Sequence, residues 1–462
     1  MELVYKPNDR PPLGRMFVFA LQQMLAILAA TIAVPTIIGH GMSQSAALFG
    51  AGVGTLVYQL FTKFRSPVFL GSSFAFIGSM FAAFGGAASA SAGYTGILLG
   101  AIFAGLVYVV IALIVKKFGV AWIDKVMPAV VIGPTVAIIG LSLAGNAIGD
   151  LSKGSVLNAA NLPVASPYLA LLCGLVTLFT VIACSVFGKK MMKMIPFIIG
   201  ILAGYVVAAI LTAIGVAADV DAMKIIDFAK FKNMQWYPDF TFIEAFKGFK
   251  DIDGAFVGTV AVAYIPVAFV VFAEHIADHK NLSSIIEHDL TKDPGLANTL
   301  LGDGVGSIAG AFFGGCPNTT YGESVGCVAI SGCASVATIT LTALMAIVSA
   351  FIAPFVTFLA TIPSCVMGGV CVTLYGFIAV SGLKMIQKVD LGDNRNLFVV
   401  SVILIAGVGG LSVTFGKVTL TTTACALILG IATNVLCSIG KKKKEAPQEE
   451  AEVLPEAEEK AE

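Results

Sequence analysis

The sequence predicts an all-α polytopic membrane protein with about 14 transmembrane segments, arranged as a seven-plus-seven inverted repeat. Hydrophobic residues make up 57% of the 462 residues and charged residues only 12%, and the mean hydropathy is +0.92. Soluble domains are about half apolar and about a quarter charged, so apolar side chains in this number require lipid as their solvent. The spacing of apolar stretches predicts the number of crossings, the placement of basic residues predicts the topology, and a repeated motif predicts the inverted repeat.

Apolar stretches of about 20 residues, the length with which a helix crosses a bilayer, recur along the chain. Eleven are clear: 16–38, 46–61, 94–115, 126–148, 167–187, 195–214, 255–273, 336–354, 364–383, 396–413 and 420–437. Three others are apolar but short or interrupted by Gly, Pro and hydroxyl residues: 68–86, 301–315 and 316–335. Together they predict about 14 crossings.

Basic residues cluster in every second short connection, as expected of cytoplasmic loops. The clusters lie at 6–15, 63–65, 116–125, 189–193, 280–292, 384–395 and 441–444. All of them fall on one side of the membrane if there are 14 segments, so both termini are predicted to be cytoplasmic. The 217–253 connection carries five Lys on the other side, but long loops follow this rule weakly, and we expect an extracytoplasmic loop there.

The formal net charge of zero depends on an acidic tail. Residues 441–462 hold 5 Lys and 8 Glu, which leaves 23 basic and 20 acidic residues on the first 440. The rest of the chain therefore shows no strong basic excess that would indicate nucleic acid. Because the tail is highly charged and low in aromatic residues, it is predicted to be disordered.

Reactive groups are arranged in no pattern typical of an enzyme. The nine Cys lie in or beside apolar stretches without a C-x-x-C pair, which is typical of packing residues rather than of metal or disulfide sites. The sequence shows no nucleophile–base pair and no metal-ligand cluster. We expect no enzymatic activity, no metal and no cofactor.

Two motifs recur in the two halves of the chain. Residues 71–76 (Gly-Ser-Ser-Phe-Ala-Phe) resemble 318–323 (Asn-Thr-Thr-Tyr-Gly-Glu), and 127–133 resemble 362–368 in the placing of Pro and Gly. These matches align the third crossing with the tenth and the fifth with the twelfth, as an inverted repeat requires. Interrupted segments at matching positions of two halves are typical of the substrate site of a transporter.

Acidic residues inside apolar segments are the clearest functional candidates. Each costs about 2.5–3.5 kcal/mol at membrane depth, so such residues usually mark a substrate or ion pathway. Glu274 closes the predicted eighth span, and Glu323 lies within the interrupted tenth. Asp278 shares a face with Glu274 if the helix continues, whereas the alternative places it in a solvated loop. Two carboxylates this close would suit a proton carrier.

The tenth segment offers hydrogen-bonding groups close to flat apolar side chains. Residues 317–323 supply hydroxyls, an amide and a flexible Gly beside the Glu323 carboxylate. Phe74, with Tyr321 or Tyr375, could form walls, although aromatic residues on a helix more often serve packing alone. The combination predicts a site for a small, planar, hydrogen-bonding solute.

Seven ordered segments carry a resemblance to a known family. They are 10–12, 30–35, 71–76, 273–276, 292–296, 317–323 and 374–376. They resemble the nucleobase–ascorbate transporters, or nucleobase–cation symporter-2 family, and within it the bacterial uracil permeases. The motif at 317–323 is typical of the uracil branch, since relatives that carry xanthine or urate usually have a Gln-Asn pair in that region.

The resemblance implies an architecture of two domains that move against each other. A core domain would comprise 16–118 and 254–355, and a gate domain 119–216 and 356–440, with 1–15 and 441–462 as cytoplasmic ends. Spans 3 and 10 would each contain a short β-strand, with the substrate between the two strands. The family also implies a homodimer.

The resemblance further implies roles for particular residues. Glu274 and Glu323 would accept the two N–H groups of uracil. The other implied contacts are Ser73, Phe74, Tyr321 and Gly322 near the strands, Ala30 on the first span and Tyr375 on the gate side. Proton coupling would involve Glu274, Asp278 and Glu323.

Three positions depart from the family pattern. Asp278 stands where bacterial uracil permeases commonly carry His, with His279 displaced by one position, so the coupling would use two carboxylates instead of a carboxylate and an imidazole. Gln23 also stands where many members have His, and Ser324 where Asn is usual. The Ser324 departure could change selectivity among pyrimidines or toward xanthine.

These observations predict a proton-coupled uracil symporter of the bacterial inner membrane that works by alternating access. Three alternatives remain at this point. One is a xanthine or urate permease of the same family, and another is an anion transporter or channel of the related sulfate-transporter architecture. The third is a membrane enzyme, for which the sequence shows no catalytic group.

Overall fold

The computed structural model describes residues 3–119, 128–158, 160, 162–189, 191–415 and 418–439, which are mainly helical. The first elements are α1 (Leu13–Ile38), α2 (Gln44–Phe61), β1 (Leu70–Ser72), α3 (Ile77–Gly85), α4 (Ala90–Phe118), α5 (Ala129–Asp150), α6 (Pro167–Phe187), α7 (Met191–Met194), α8 (Pro196–Ala217) and α9 (Thr241–Gly248). They are followed by α10 (Gly254–Ile286), α11 (Leu296–Gly314), β2 (Asn318–Thr320), α12 (Gly322–Ser331), α13 (Val336–Ser349), α14 (Ala353–Thr361), α15 (Ser364–Ile386), α16 (Asn394–Val408), β3 (Val413–Phe415), β4 (Val418–Leu420) and α17 (Thr422–Ser438).

Several of these helices can cross a membrane. Within the described ranges, seven are long and apolar enough by themselves: α1, α4, α5, α6, α8, α10 and α15. Helices α13 and α14 would make an eighth span together, with a bend of 84° between them. A helical chain with multiple apolar spans is thus confirmed, whereas the total of 14 and the inverted repeat stay predictions.

Two short strands interrupt the helical pattern where the resemblance places them. Strands β1 and β2 pair in antiparallel fashion, with Leu70 opposite Thr320 and Ser72 opposite Asn318. The pairing continues beyond the strands, because Ser73 N donates to Pro317 O at 2.9 Å and Tyr321 N donates to Phe69 O at 3.1 Å. Each strand thereby satisfies backbone groups of the other, and two parts of the chain about 250 residues apart meet.

Asn318 fixes strand β2 against the helices behind it. Its amide Nδ2 donates to Gly50 O on α2 at 3.1 Å. A Cβ built on Gly54 of α2 or on Gly310 of α11 would overlap the Asn318 amide. These helices approach closely only because both positions lack a side chain, and the strand is held by that packing.

The helices pack mainly in two groups. Helix α11 packs against α2 and α4, α13 packs against α1 and α2, and α10 packs against α4. In the second group α15 packs against α5 and α6, α8 against α6, and α16 against α5 and α17. The division into a core domain and a gate domain stays a prediction.

The 217–253 connection, expected to be a loop, contains helix α9 and reaches both groups. Ile225 N and Ile226 N donate to Thr212 Oγ1 of α8, at 3.0 and 3.1 Å. Further along, Thr95 Oγ1 of α4 donates to Ala245 O of α9 at 2.6 Å. The phenyl rings of this connection also pack on α11, where Phe242 stacks on Phe312 with centroids 4.8 Å apart. The segment therefore bridges the two helix groups.

Some expectations change near the C-terminus. A second antiparallel hairpin, β3–β4, pairs Val413 with Leu420 between the last two helices, where the hydropathy pattern predicts only a break between apolar stretches. The acidic tail at 441–462 lies outside the described residues, as does the Met127 part of the second repeat motif.

Adding one methyl group at Gly310 tests the packing around Asn318. We expect Gly310→Ala to lower the melting temperature of the purified protein in detergent, because overpacking of a tight core costs about 1–3 kcal/mol. Gly78→Ala on α3 is the matched control, since a Cβ there meets nothing within 4 Å and Ala favours the helix. Equal melting temperatures for both variants would contradict this account of the interface.

Candidate functional site

A cavity of about 440 Å³ lies between the two helix groups, beside the paired strands. One wall carries the polar groups and is formed by α1, α10, β2, α12 and the residues that follow β1. The facing wall comes from α5, α6, α8 and α15 and is mostly apolar, with Val136, Ile139, Phe197, Leu374 and Phe377. The cavity thus has a hydrogen-bonding side and an apolar side.

Three carboxylates, Glu274, Asp278 and Glu323, line the polar wall. Helix α10 continues to Ile286, so Glu274 lies within the helix and does not close it as expected. Asp278 lies one turn further on and is not in a solvated loop. Glu323 is in the first turn of α12, where the helix dipole favours a negative charge. All three are half-buried because they face the cavity.

The start of α12 presents free backbone donors to the same wall. The first backbone bond into this helix runs from Val325 N to Tyr321 O at 3.2 Å, so the N–H groups of Gly322, Glu323 and Ser324 precede the intrahelical bonds. Gly322 is exposed to the cavity. Such donors suit the carbonyl oxygens of a small solute.

Aromatic rings surround the polar wall. Phe74 and Tyr321 line the cavity, and Tyr321 OH donates to Ser72 O at 2.9 Å. A Cβ on Gly71 would overlap the Tyr321 ring, so the absence of a side chain there lets the ring lie across β1. Tyr375 packs edge-on against Phe74, with ring centroids 5.9 Å apart.

The sequence-predicted residues divide into cavity-lining and supporting positions. Those that line the cavity are Glu274, Asp278, Glu323, Gly322, Phe74 and Tyr321. Ser73, Ala30 and Tyr375 are buried beside it, and Ala26, one turn before Ala30 on α1, forms the lining there. The structure thus brings the three carboxylates and two of the aromatic residues to one space.

Gln23 and Ser324, two of the three residues that depart from the family pattern, are in contact, although 301 positions separate them in the sequence. Gln23 Nε2 donates to Ser324 Oγ, and Ser324 Oγ also accepts the Phe69 N–H group at 3.0 Å. Both side chains are buried. Together they join α1, the residue before β1, and α12 next to Glu323. Nothing in the sequence around either residue predicts that the two side chains are in contact.

A buried polar network lies on the neighbouring face of α10. His275 Nδ1 lies 2.7 Å from Asp303 Oδ2 and His275 Nε2 lies 3.0 Å from Thr299 Oγ1. His279 Nδ1 contacts His275 O at 2.8 Å, and its Nε2 lies 2.7 Å from the Tyr58 hydroxyl. These bonds tie α10 to α11 and α2, and they fix the rotation of the helix that carries Glu274 and Asp278.

Sequence reasoning missed several other cavity residues. Thr319 and Thr320 contribute hydroxyls, and Lys193 on α7 is the basic residue among the described lining. The paired hydroxyls of the repeated motif were a signal for the two Thr residues, but Lys193 was assigned only to a cytoplasmic loop. Within the described residues, no group of three His, Cys, Asp or Glu side chains is placed to hold a metal ion.

Comparison with known proteins gives consistent matches. The family model described as "Permease family", for xanthine and uracil permeases, matches residues 14–416. A uracil permease of Bacillus caldolyticus is 37% identical over 93% of each chain. The uracil permease of Bacillus subtilis is 36% identical over 92% of this chain and 93% of its own. The uracil permease of Escherichia coli strain K12 is 33% identical over 93% of this chain and 92% of its own.

Solved structures with little sequence identity share the fold. The transmembrane domain of a cyanobacterial bicarbonate transporter, BicA, has a TM-score of 0.60 at 15% identity, covering 94% of this chain and 99% of its own. The inward-facing murine Solute Carrier 26 member A9 anion transporter has a TM-score of 0.64 at 13% identity, covering 94% of this chain and 69% of its own. The chain therefore has a membrane transporter fold.

Substitutions at Gln23 and Ser324 test their contact. Ser324→Ala should lower the melting temperature more than Gln23→Met, because it leaves the buried Phe69 N–H unpaired, at about 1–3 kcal/mol, and also removes one of the two bonds that Gln23 Nε2 makes to Ser324. The double variant should cost less than the sum of the two, by about 0.5–3 kcal/mol. Ser142→Ala is the control, since that hydroxyl bonds a carbonyl of its own helix, Ile139 O, at 3.0 Å. Additive effects in the double variant would refute the coupling.

Proposed function

The chain belongs to the permease family of xanthine and uracil transporters, and from this membership we propose that it is a proton-coupled uracil symporter. It imports uracil across a bacterial inner membrane, with both termini in the cytoplasm. The observation that carries the proposal is the cavity wall in which Glu274 and Glu323 stand beside the free N–H groups of α12. The three uracil permeases that match over more than nine tenths of the chain support the substrate.

The chemistry of uracil complements this wall. Uracil has two N–H donors and two carbonyl acceptors on a planar ring. Glu274 and Glu323 accept the N–H groups, and carboxylates make stronger hydrogen bonds than neutral acceptors do. The Gly322 N–H group at the start of α12 and the Ser73 hydroxyl donate to the carbonyl oxygens, while Phe74 and Tyr321 lie against the ring.

Buried residues hold these groups in position. Tyr375 packs on Phe74, and Ala30 keeps α1 close to the strands because its side chain is small. The apolar wall formed by α5, α8 and α15 excludes water from the other side of the ring. Such a mostly apolar pocket with a few fixed polar groups is typical of small-molecule sites.

Proton coupling follows from the crowding of acidic groups. Glu274, Asp278 and Glu323 share one cavity at membrane depth, and three negative charges so close cannot form together without a large cost. A proton taken up with uracil relieves that repulsion. The proton is therefore a second substrate that travels with the nucleobase, and no cofactor is needed.

The position of the cavity supports alternating access. The core residues, 16–118 and 254–355, form its polar wall, and the gate residues, 119–216 and 356–440, form its apolar wall. Sliding of the core against the gate exposes the same site to either side. Ser185, Lys193 and Met385 line the cavity in or close to predicted cytoplasmic loops, so the predicted topology places this end of the cavity on the cytoplasmic side. By family membership, we expect the unit to be a homodimer.

Uptake of labelled uracil into vesicles tests the substrate and the two site carboxylates. We expect Glu274→Gln and Glu323→Gln each to weaken apparent affinity about 10- to 100-fold, the effect of losing a charge-assisted bond of about 1.5–3 kcal/mol. Glu287→Gln, at the exposed C-cap of α10, is the control and should transport like the parent. If excess unlabelled xanthine, and not excess unlabelled uracil, inhibits the uptake of labelled uracil, the purine alternative is favoured. If vesicles with the parent protein take up no labelled uracil, uracil is excluded as the substrate.

Imposed pH gradients test the coupling. An inside-alkaline gradient should accelerate uracil entry and a protonophore should abolish that acceleration, because the proton moves inward with the substrate. Exchange of internal unlabelled for external labelled uracil should continue in the presence of the protonophore. Asp278→Asn should still exchange uracil but respond less to the gradient. Uptake that is indifferent to the protonophore at every pH would refute proton coupling.

A further inference from the structure

Thr320 connects Asp278 to the strand that precedes the substrate-facing residues. Thr320 Oγ1 donates to Asp278 Oδ2 at 2.8 Å. Thr320 is the last residue of β2 and is buried, and both Thr320 and Asp278 line the cavity. Asp278 is also close to the next turn, since a Cβ built on Gly322 would lie 3.9 Å from Asp278 Oδ1. One carboxylate therefore lies against the residues on both sides of Tyr321.

The strength of this bond depends on the charge of Asp278. An ionised carboxylate only accepts hydrogen bonds, whereas a protonated one also donates. The bond from a hydroxyl to a carboxylate is roughly twice as strong as one between neutral groups. Protonation of Asp278 thus weakens its hold on Thr320 and gives the carboxyl a proton to donate elsewhere.

The strand transmits this hold to the substrate side. Thr320 lies opposite Leu70 in the register of β1 and β2, and the next residue, Tyr321, is tied to Phe69 O and Ser72 O. Gly322 and Glu323 follow directly and begin α12. A shift of Thr320 moves the residues proposed to contact uracil, since only one to three peptide bonds separate them.

Other charged or titratable groups belong to the elements around Asp278. They are Glu274 on the same helix, Glu323 on α12, Lys193 on α7, and His275, His279 and Asp303 in the buried network. The histidines of that network are already bonded to Asp303, Thr299 and Tyr58. Thr320 is therefore the side chain that links Asp278 to the substrate strand.

We propose that Thr320 is a positioning residue through which the charge of Asp278 controls the affinity for uracil. The ionised carboxylate holds Thr320 and keeps β2 in the geometry of the empty site. Protonation releases the strand, and the start of α12 then closes on the nucleobase. This inference rests on the proposed function and explains how proton binding favours substrate binding.

Equilibrium binding of labelled uracil to the purified full-length protein tests the inference without transport. Between about pH 6 and pH 8, we expect the Kd of the parent to rise about fivefold or more, the lower range of typical coupling between sites. Thr320→Val keeps the shape of the side chain but removes the hydroxyl, so its Kd should stay near the acidic parent value throughout. Thr320→Ser retains the hydroxyl and should behave like the parent.

An Asp278→Asn background separates a coupling role from a structural one. The single variant Asp278→Asn should bind tightly at both pH values, and adding Thr320→Val should change the Kd by less than about twofold. Melting temperatures report folding, and Thr320→Ala is a second variant without the hydroxyl if Thr320→Val does not fold.

Several results would overturn the inference. One is a Kd for uracil that depends on pH in Thr320→Val as it does in the parent. Another is a pH dependence of the Kd that Thr320→Ser loses to the same extent as Thr320→Val. The third is an increase in Kd caused by Thr320→Val that is the same at each pH in the parent and in the Asp278→Asn background. Failure of the parent to bind uracil at any pH would instead refute the proposed substrate. The two failures are distinguishable because only the second removes binding by the parent.

Discussion

The arrangement of the cavity depends on the backbone pairing of β1 with β2. Non-helical backbone at membrane depth must find hydrogen-bond partners for its N–H and C=O groups within the protein. Neither three-residue strand can do so alone, but each supplies the partners of the other in the antiparallel register from Leu70–Thr320 to Ser72–Asn318. Because β2 is followed directly by the start of α12, the first N–H groups of that helix come next to the paired strands at the cavity wall.

Close approach of the backbone makes this pairing possible. The Asn318 amide occupies space between α2 and α11 that a side chain at Gly54 or Gly310 would fill, and the Tyr321 ring occupies the space beside Gly71. The pairing, the packing of the helices and the placement of Tyr321 are therefore one constraint. A change in any of these glycines displaces the strand and, with it, Glu323.

Sequence patterns predict the parts of this structure that depend on local composition. The membrane fold follows from hydropathy, the interrupted segments from hydroxyls and glycines in apolar surroundings, and Glu274 and Glu323 from the rarity of carboxylates there. The predicted position of Glu274 at the end of the eighth span is wrong, because the break in hydropathy after it does not end helix α10, which runs to Ile286. Buried hydrogen bonds on α10 stabilise the polar turns that follow.

Contacts between distant segments could not be predicted from one sequence. The bond of Gln23 to Ser324 joins residues in opposite halves, and that of Thr320 to Asp278 joins a strand to a helix. Neither pair has a periodicity or a composition that marks it. Helix α9 escapes prediction for a related reason, since the five Lys residues of the 217–253 connection indicate a loop, while the phenyl ring of Phe242 in α9 packs on α11.

The two faces of α10 explain how titratable residues with different roles occupy one helix. His275 and His279 are buried where α11 and α2 supply hydrogen-bond partners, so these groups hold the helix in place. Glu274 and Asp278, on the neighbouring face, line the cavity, where the proposed function assigns them substrate and proton. Because the buried face is held rigidly, a change of charge on the cavity-lining face does not rotate α10. Strand β2, which is bonded to Asp278 through Thr320, is then the element that can move when that charge changes.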